Sequence, residues 1–197
     1  MDISTIIFWA VLIGTGIFVV AIYNKLVALK NNYQNGFAQI EVELKRRYDL
    51  IPNLLETAKA YMAHESETLE AVVAARNGAQ SALNAAAQDP SGASIDQLSK
   101  AEGQLQGALG RMNIVMEDYP DLKANQNMMQ LSEELSTTEN RIAIARQAFN
   151  NTVTEYNSYR QSFPPVIFAS KFGHPEDASL LEFEDSEAIQ EAPKVSF

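Results

Sequence analysis

A mainly apolar run extends from Ile3 to Ile22, and afterwards apolar residues recur at every third or fourth position. The first pattern is 20 residues with no charged side chain, and Ser4, Thr5 and Thr15 are its most polar members. A helix of that length covers about 30 Å, the thickness of a bilayer's hydrocarbon core. A soluble amphipathic helix would keep a polar face, and this run has none. A cleaved secretory signal would need a basic leader, a shorter apolar run and a small-residue cleavage site. The run therefore reads as a retained transmembrane anchor over residues 1–23, with Ile3, Ile6, Phe8, Trp9, Leu12, Ile13, Phe18, Val20 and Ile22 facing lipid.

The second pattern begins at once. Leu26, Leu29, Tyr33, Phe37, Ile40, Leu44, Tyr48 and Ile51 follow spacings of three and four. These spacings form an 11-residue repeat of about 3.67 residues per turn, which describes a nearly straight helix. No breaker separates it from the anchor, so membrane span and soluble helix are expected to be continuous. Gly36 interrupts the stripe, which suggests close packing or a slight bend there. Pro52 leaves two readings open: Asp49 caps a new helix near Ile51, or one long helix kinks. The next amphipathic segment is expected from Asn53 to Ala87, with Leu54, Leu55, Ala58, Leu69, Val72, Ala79, Leu83 and Ala86 on its apolar face. Residues 88–92 read as a turn by composition.

A third helix is expected from Ile95 to Glu117, with Ser94 as its N-cap. Gly103, Gly107 and Gly110 within it suggest close approach to a neighbouring helix. Tyr119-Pro120-Asp121 separates it from a long fourth helix, Leu122 to Phe163. That helix carries a coiled-coil-like seam through Met128, Leu131, Leu135, Thr138, Ile142, Ala145 and Phe149. Pro164-Pro165 stops it, and Val166–Phe172 is a short apolar patch expected to dock on the bundle. Short connections make neighbours antiparallel. The fold class is thus all-α: an N-terminal transmembrane helix continuing into an elongated antiparallel helical bundle over 24–173. An acidic, disordered tail is expected over 174–197.

Composition narrows the chemistry. The net charge is −10 and cysteine is absent, which removes disulfides, thiolate metal sites and a Cys nucleophile. Nucleic acid is an unsuitable partner for so acidic a chain. Lys25 and Lys30 follow the anchor whereas Asp2 precedes it, a bias that places the N-terminus outside and the body in the cytoplasm.

Residue order then carries a resemblance. Tyr23-Asn24-Lys25-Leu26-Val27, Lys45-Arg46-Arg47-Tyr48-Asp49-Leu50-Ile51-Pro52-Asn53-Leu54, and His64-Glu65 with Thr68-Leu69-Glu70 and Ala75-Arg76 resemble successive motifs of the LemA family. Tyr119-Pro120-Asp121-Leu122-Lys123-Ala124-Asn125, Thr138-Glu139-Asn140-Arg141-Ile142-Ala143, Ala145-Arg146, Tyr156-Asn157 and Phe163-Pro164 extend the match, which covers about residues 23–173. Gly36-Phe37 departs from an Ala-Trp-like pair, and Met128-Met129 stands where an aromatic is common. The resemblance implies an N-terminal transmembrane segment, an antiparallel helical bundle and residence in a bacterial inner membrane. It implies no settled biochemical activity, although some relatives take part in building magnetosome membranes.

Candidate chemistry is sparse. His64-Glu65 lacks the second His of a zincin helix, since position 68 is Thr. No Gly-rich phosphate loop or nucleophile elbow exists. No catalytic residue, cofactor or metal is expected. The charged residues Arg46, Arg47, Glu56, Glu65, Arg76, Glu139, Arg141 and Arg146, with the apolar Phe37 and Leu44, are the candidates for structural ion pairs or an interface. Glu and Arg are expected to pair between the second and fourth helices. Lys45-Arg46-Arg47 lies about 35 Å of helix beyond the anchor, outside a Debye length of lipid charge. The resulting expectation is a non-enzymatic, self-assembling membrane-organising scaffold, with the lipid bilayer, further copies and other membrane proteins as partners. The competing expectation is an accessory or signalling subunit of a membrane protease or transporter complex.

Overall fold

The computed structural model describes residues 2–90 and 92–182. Ser91 of the predicted turn, and 183–197 of the predicted tail, lie outside the described residues. Among the described residues there is no strand. Helix α1 spans Ile3–Lys59, α2 Ser66–Gln88, α3 Gly92–Met116, α4 Pro120–Lys123, α5 Gln126–Gln161 and α6 Pro165–Phe168, and a 3₁₀ turn follows at Ser170–Phe172. The fold is all-α, as the periodicity predicts.

Helix α1 joins the span and the first soluble stripe in one rod of 57 residues, about 85 Å long. Its residues from Ile3 to Phe18 are all exposed, as an apolar helix meant for lipid would be. Burial begins at Ile22 and repeats at Leu26, Leu29, Phe37, Ile40, Leu44, Tyr48 and Ile51, the positions the spacing marks.

Pro52 does not end α1. The helix continues to Lys59, so Leu54, Leu55 and Ala58 belong to it and not to the next helix. The predicted second helix at Asn53–Ala87 is corrected to α2 at Ser66–Gln88, and the chain reverses through 60–65. The predicted fourth helix also divides. A four-residue turn, α4, precedes Asn125, whose side chain accepts from the Met128 amide at 3.1 Å and opens α5.

Helix α1 packs chiefly on α5, and α2 packs on α3 and more lightly on α1. The pairing is antiparallel. Phe37 meets Phe149 with ring centroids 5.8 Å apart, Tyr33 meets Tyr156 at 5.1 Å, and Lys25 approaches Glu155 at 3.6 Å. Gly36 marks a close approach of α1 to α5: a Cβ there would lie 3.4 Å from the Phe149 Cα and the Thr152 hydroxyl. Two of the α3 glycines behave otherwise. Gly107 and Gly110 have nothing within 4 Å of a virtual Cβ, so they face open space and not a neighbouring helix.

Two apolar clusters result. The large one fills the region between α1, α2, α3 and α5, and a small one beside the end of the apolar run unites Ile22, Leu26, Leu29, Tyr156 and Ala169. Residues 174–182, expected to begin a disordered tail, instead return along α5 as a strap. Asn157 accepts from the Ala178 amide and donates to its carbonyl, both at 2.9 Å. Asn150, two turns earlier, does the same for Leu181 at 2.9 and 3.1 Å. Arg160 adds bonds to the carbonyls of His174 and Pro175 and an ion pair to Asp177. Side-chain amides thus satisfy backbone groups that no regular element would pair.

Candidate functional site

The most distinctive polar constellation lies inside the bundle, about two thirds of the way along the soluble part of α1. Tyr48 is a stripe residue and fully buried. Its hydroxyl donates to Glu102 Oε1, and Arg47 Nη2 pairs with Glu102 Oε2. Both charged side chains are buried. Arg76 arrives from α2, and its Nε donates to the Tyr48 carbonyl at 3.0 Å. Two helices, α2 and α3, therefore converge on one turn of α1.

The electrostatics follow from burial. Loss of solvent lowers the Arg47 pKa from its ordinary value, opposed by the nearby Tyr48 and Glu139. The same desolvation pushes the Tyr48 phenol up to about 12, against the pull of Arg47 and Arg76. The carboxylate is held by one guanidinium and one phenol. A buried ion pair of this kind contributes little net stability but penalises any register that separates its members.

The expected residues are distributed unevenly. Arg47 and Arg76 join the constellation, and Glu139 acts on Arg47 through space. Glu65 instead accepts from Tyr119 at 3.2 Å at the far end of the bundle. Glu56 and Arg46 are exposed, and Arg141 lies on the outer α1/α5 face. Arg146 is half-buried. Phe37 and Leu44 are core residues. Of the structural and interface readings, these two take the structural one, since α5 and the other helices of this chain cover them. The buried Glu–Arg pair seen here joins α1 to α3 through Arg47 and Glu102.

Glu102 was legible and missed. Ile95, Leu98, Glu102, Leu105, Leu109, Met112 and Met116 are all buried and alternate three and four apart, so Glu102 occupies a seam position. A carboxylate at a core register needs a buried cation, and the adjacent Ala101 obscures that reading.

Outside this cluster, two surface grooves stand out. One of about 450 Å³ runs along the outer α1/α5 face, between Gln39, Val42 and Glu43 on α1 and Arg141, Ile144, Ala145 and Ala148 on α5. Val42 is 65% and Ile144 69% exposed, while Glu43 Oε2 is shielded from solvent without a hydrogen-bond partner. The other, about 410 Å³, lies at the distal end around Leu55, Met62, Leu69 and Val73, with Glu56 and Lys59 at its rim. Among the described residues no three His, Asp or Glu side chains are grouped to hold a metal.

Comparison with known proteins places this architecture. The LemA family model matches residues 36–197. The chain belongs to the LemA family. A family member from Metamycoplasma hominis, Protein LemA, is 29% identical over 169 residues, covering 84% of this chain and 72% of that protein. Magnetosome protein MamQ of Magnetospirillum gryphiswaldense is 26% identical over 154 residues, or 68% of this chain and 56% of that protein. Magnetosome protein MamQ 2 of Paramagnetospirillum magneticum is 25% identical over 190 residues, with 87% and 65% covered. This chain thus spans less than two thirds of either magnetosome relative. None of these names states a reaction. With one 57-residue helix apolar enough at its start to cross a bilayer, this LemA-family chain is membrane-associated.

Proposed function

We propose that this protein is a non-enzymatic, self-assembling scaffold of the bacterial inner membrane, with its N-terminus outside and its bundle in the cytoplasm. The observation that carries the reading is the outer α1/α5 groove. Its exposed Val42 and Ile144 offer apolar area, and Glu43 and Arg141 offer opposite charges that a second copy can match. Because α1 is continuous from span to bundle, any order imposed on the bundles passes directly to the anchors. An array of anchors in fixed orientation can organise or curve a membrane patch. The magnetosome relatives lend the membrane setting and nothing more specific.

The test is the mass of the full-length protein in mild detergent, by light scattering with imaging of the same fractions. Ile144→Asp and Val42→Asp, on a solvent-facing edge, should convert a large discrete particle into monomers while helicity stays unchanged. A wild-type monomer refutes the scaffold.

The accessory-subunit reading has its own support in the distal groove, which faces away from the membrane and suits a soluble segment of another protein. Monomeric protein that loses capture of a membrane protease or transporter on Val73→Asp would favour it.

A further inference from the structure

The chain leaves α5 at Gln161 and reverses through α6 and the 3₁₀ turn before the strap begins. Its height is fixed by contacts with α1. Tyr156 lies beside Tyr33, Glu155 beside Lys25, and Phe172 stands edge-on to Tyr23 with ring centroids 5.4 Å apart. Ala169 joins the small cluster that buries Ile22, the last residue of the apolar span. The reversal therefore sits where α1 leaves the bilayer.

This reversal has two faces. Pro165 and Ala169 are buried, and Phe168 and Phe172 are half-buried and stacked on each other at 5.8 Å. Phe163, Val166 and Ile167 point the other way and are 80%, 50% and 54% exposed. Val166 and Ile167 are neighbours on α6, and Phe163 stands in the turn just before it. Three large apolar side chains on one short element are a costly display to water. Lys171 is exposed beside them, and Lys25 is exposed on the adjoining turn of α1.

We propose that Phe163–Phe172 is a membrane foot: Phe163, Val166 and Ile167 insert into the headgroup–acyl boundary of the leaflet from which α1 emerges, with Lys171 and Lys25 among anionic headgroups. Apolar side chains below and lysines above are the arrangement of an interfacial element. The occupant follows from continuity. The foot adjoins the end of the span, so lipid is the medium at that height. A second attachment fixes the tilt and rotation of the bundle, which a single helix leaves free. The strap holds the foot from the other side, through Arg160 bound to His174 and Pro175. The proposal rests on the anchor and not on self-association.

The absence of cysteine makes the test direct. Single variants Phe163→Cys, Ile167→Cys, Leu12→Cys and, as an exposed site on α2 outside both grooves, Ser81→Cys of the full-length protein are labelled with an environment-sensitive fluorophore. They are reconstituted in vesicles of phosphatidylcholine and phosphatidylglycerol. Quenching by doxyl-labelled acyl chains and by aqueous iodide is then compared. Labels at 163 and 167 should be quenched by lipid and shielded from iodide, as at 12, while 81 shows no lipid quenching. Iodide access at 163 and 167 equal to that at 81 overturns the foot. Shielding from iodide without lipid quenching also overturns it, because protein then covers the patch. Iodide access at 12 would refute the anchor itself, a distinguishable failure.

Discussion

Arg76 donates from Nε to the carbonyl of Tyr48, the acceptor that Pro52 leaves without an intrahelical donor. In an α-helix the amide of residue 52 would bond the carbonyl of residue 48, and proline has no amide hydrogen. Its ring also crowds that carbonyl. A guanidinium from α2 replaces the lost donor, so α1 passes through Pro52 and keeps its buried stripe in phase.

Arg76→Ala should therefore cost about 1–3 kcal/mol, the range for leaving a buried acceptor unsatisfied. Pro52→Ala restores the helical amide, so the same Arg76 change should cost clearly less in that background. Urea unfolding of the full-length protein in detergent, run as a double-mutant cycle, measures the coupling.

Glu102→Ala leaves the buried Arg47 without its carboxylate and should cost about 3–5 kcal/mol. Replacing Arg47 and Glu102 together with leucine, and Tyr48 with phenylalanine, should recover most of that loss. The recovered variant should show less uniform tertiary structure, visible as broadened side-chain resonances, if the pair holds the register.

Alkaline pH should unfold the bundle through its phenols. Burial raises Tyr48 and Tyr156 to about 12 each. A phenol whose folded pKa lies above the ordinary value near 10 favours the folded state fully below that value. The contribution is lost as pH rises towards 12. Tyr48→Phe should flatten the fall in melting temperature across that window, and tyrosinate absorbance should report fewer late-titrating phenols.

The strap should be the first part to open. Asn157→Ala removes both bonds to Ala178, so limited proteolysis should cleave within 174–182 while the helices stay resistant. Acid should mimic this. Burial, then Lys30 and Arg160, holds the His174 pKa below its ordinary value, and the neutral ring faces the Tyr156 hydroxyl at 3.0 Å. That contribution is present above the unfolded imidazole value and fades as pH falls below it.

Gly107→Ala and Gly110→Ala should each stabilise α3 by up to about 1 kcal/mol, since the sites are helical, exposed and open. Melting temperatures of the two variants, alone and combined, check the sign. A loss would mean that another molecule approaches α3 at these glycines.

The sequence by itself determined the long apolar run, its continuity with the stripe from Leu26 to Ile51 and the buried face of each helix. Those properties are local, because a three-four spacing marks one side of a helix whatever it later meets. Every α1 stripe residue from Leu26 to Ile51 is buried except the half-buried Tyr33. Tertiary structure decided which faces meet. Periodicity says that a face is apolar and not what covers it, so the α1 stripe could equally have faced another copy. The same limit hid the tolerance of Pro52, which depends on an arginine 24 residues further on. It hid the partner of Glu102 and the strap, whose backbone is satisfied by Asn150, Asn157 and Arg160 of a helix it folds back against. Such contacts depend on distance in space, and spacing along the chain carries no record of them.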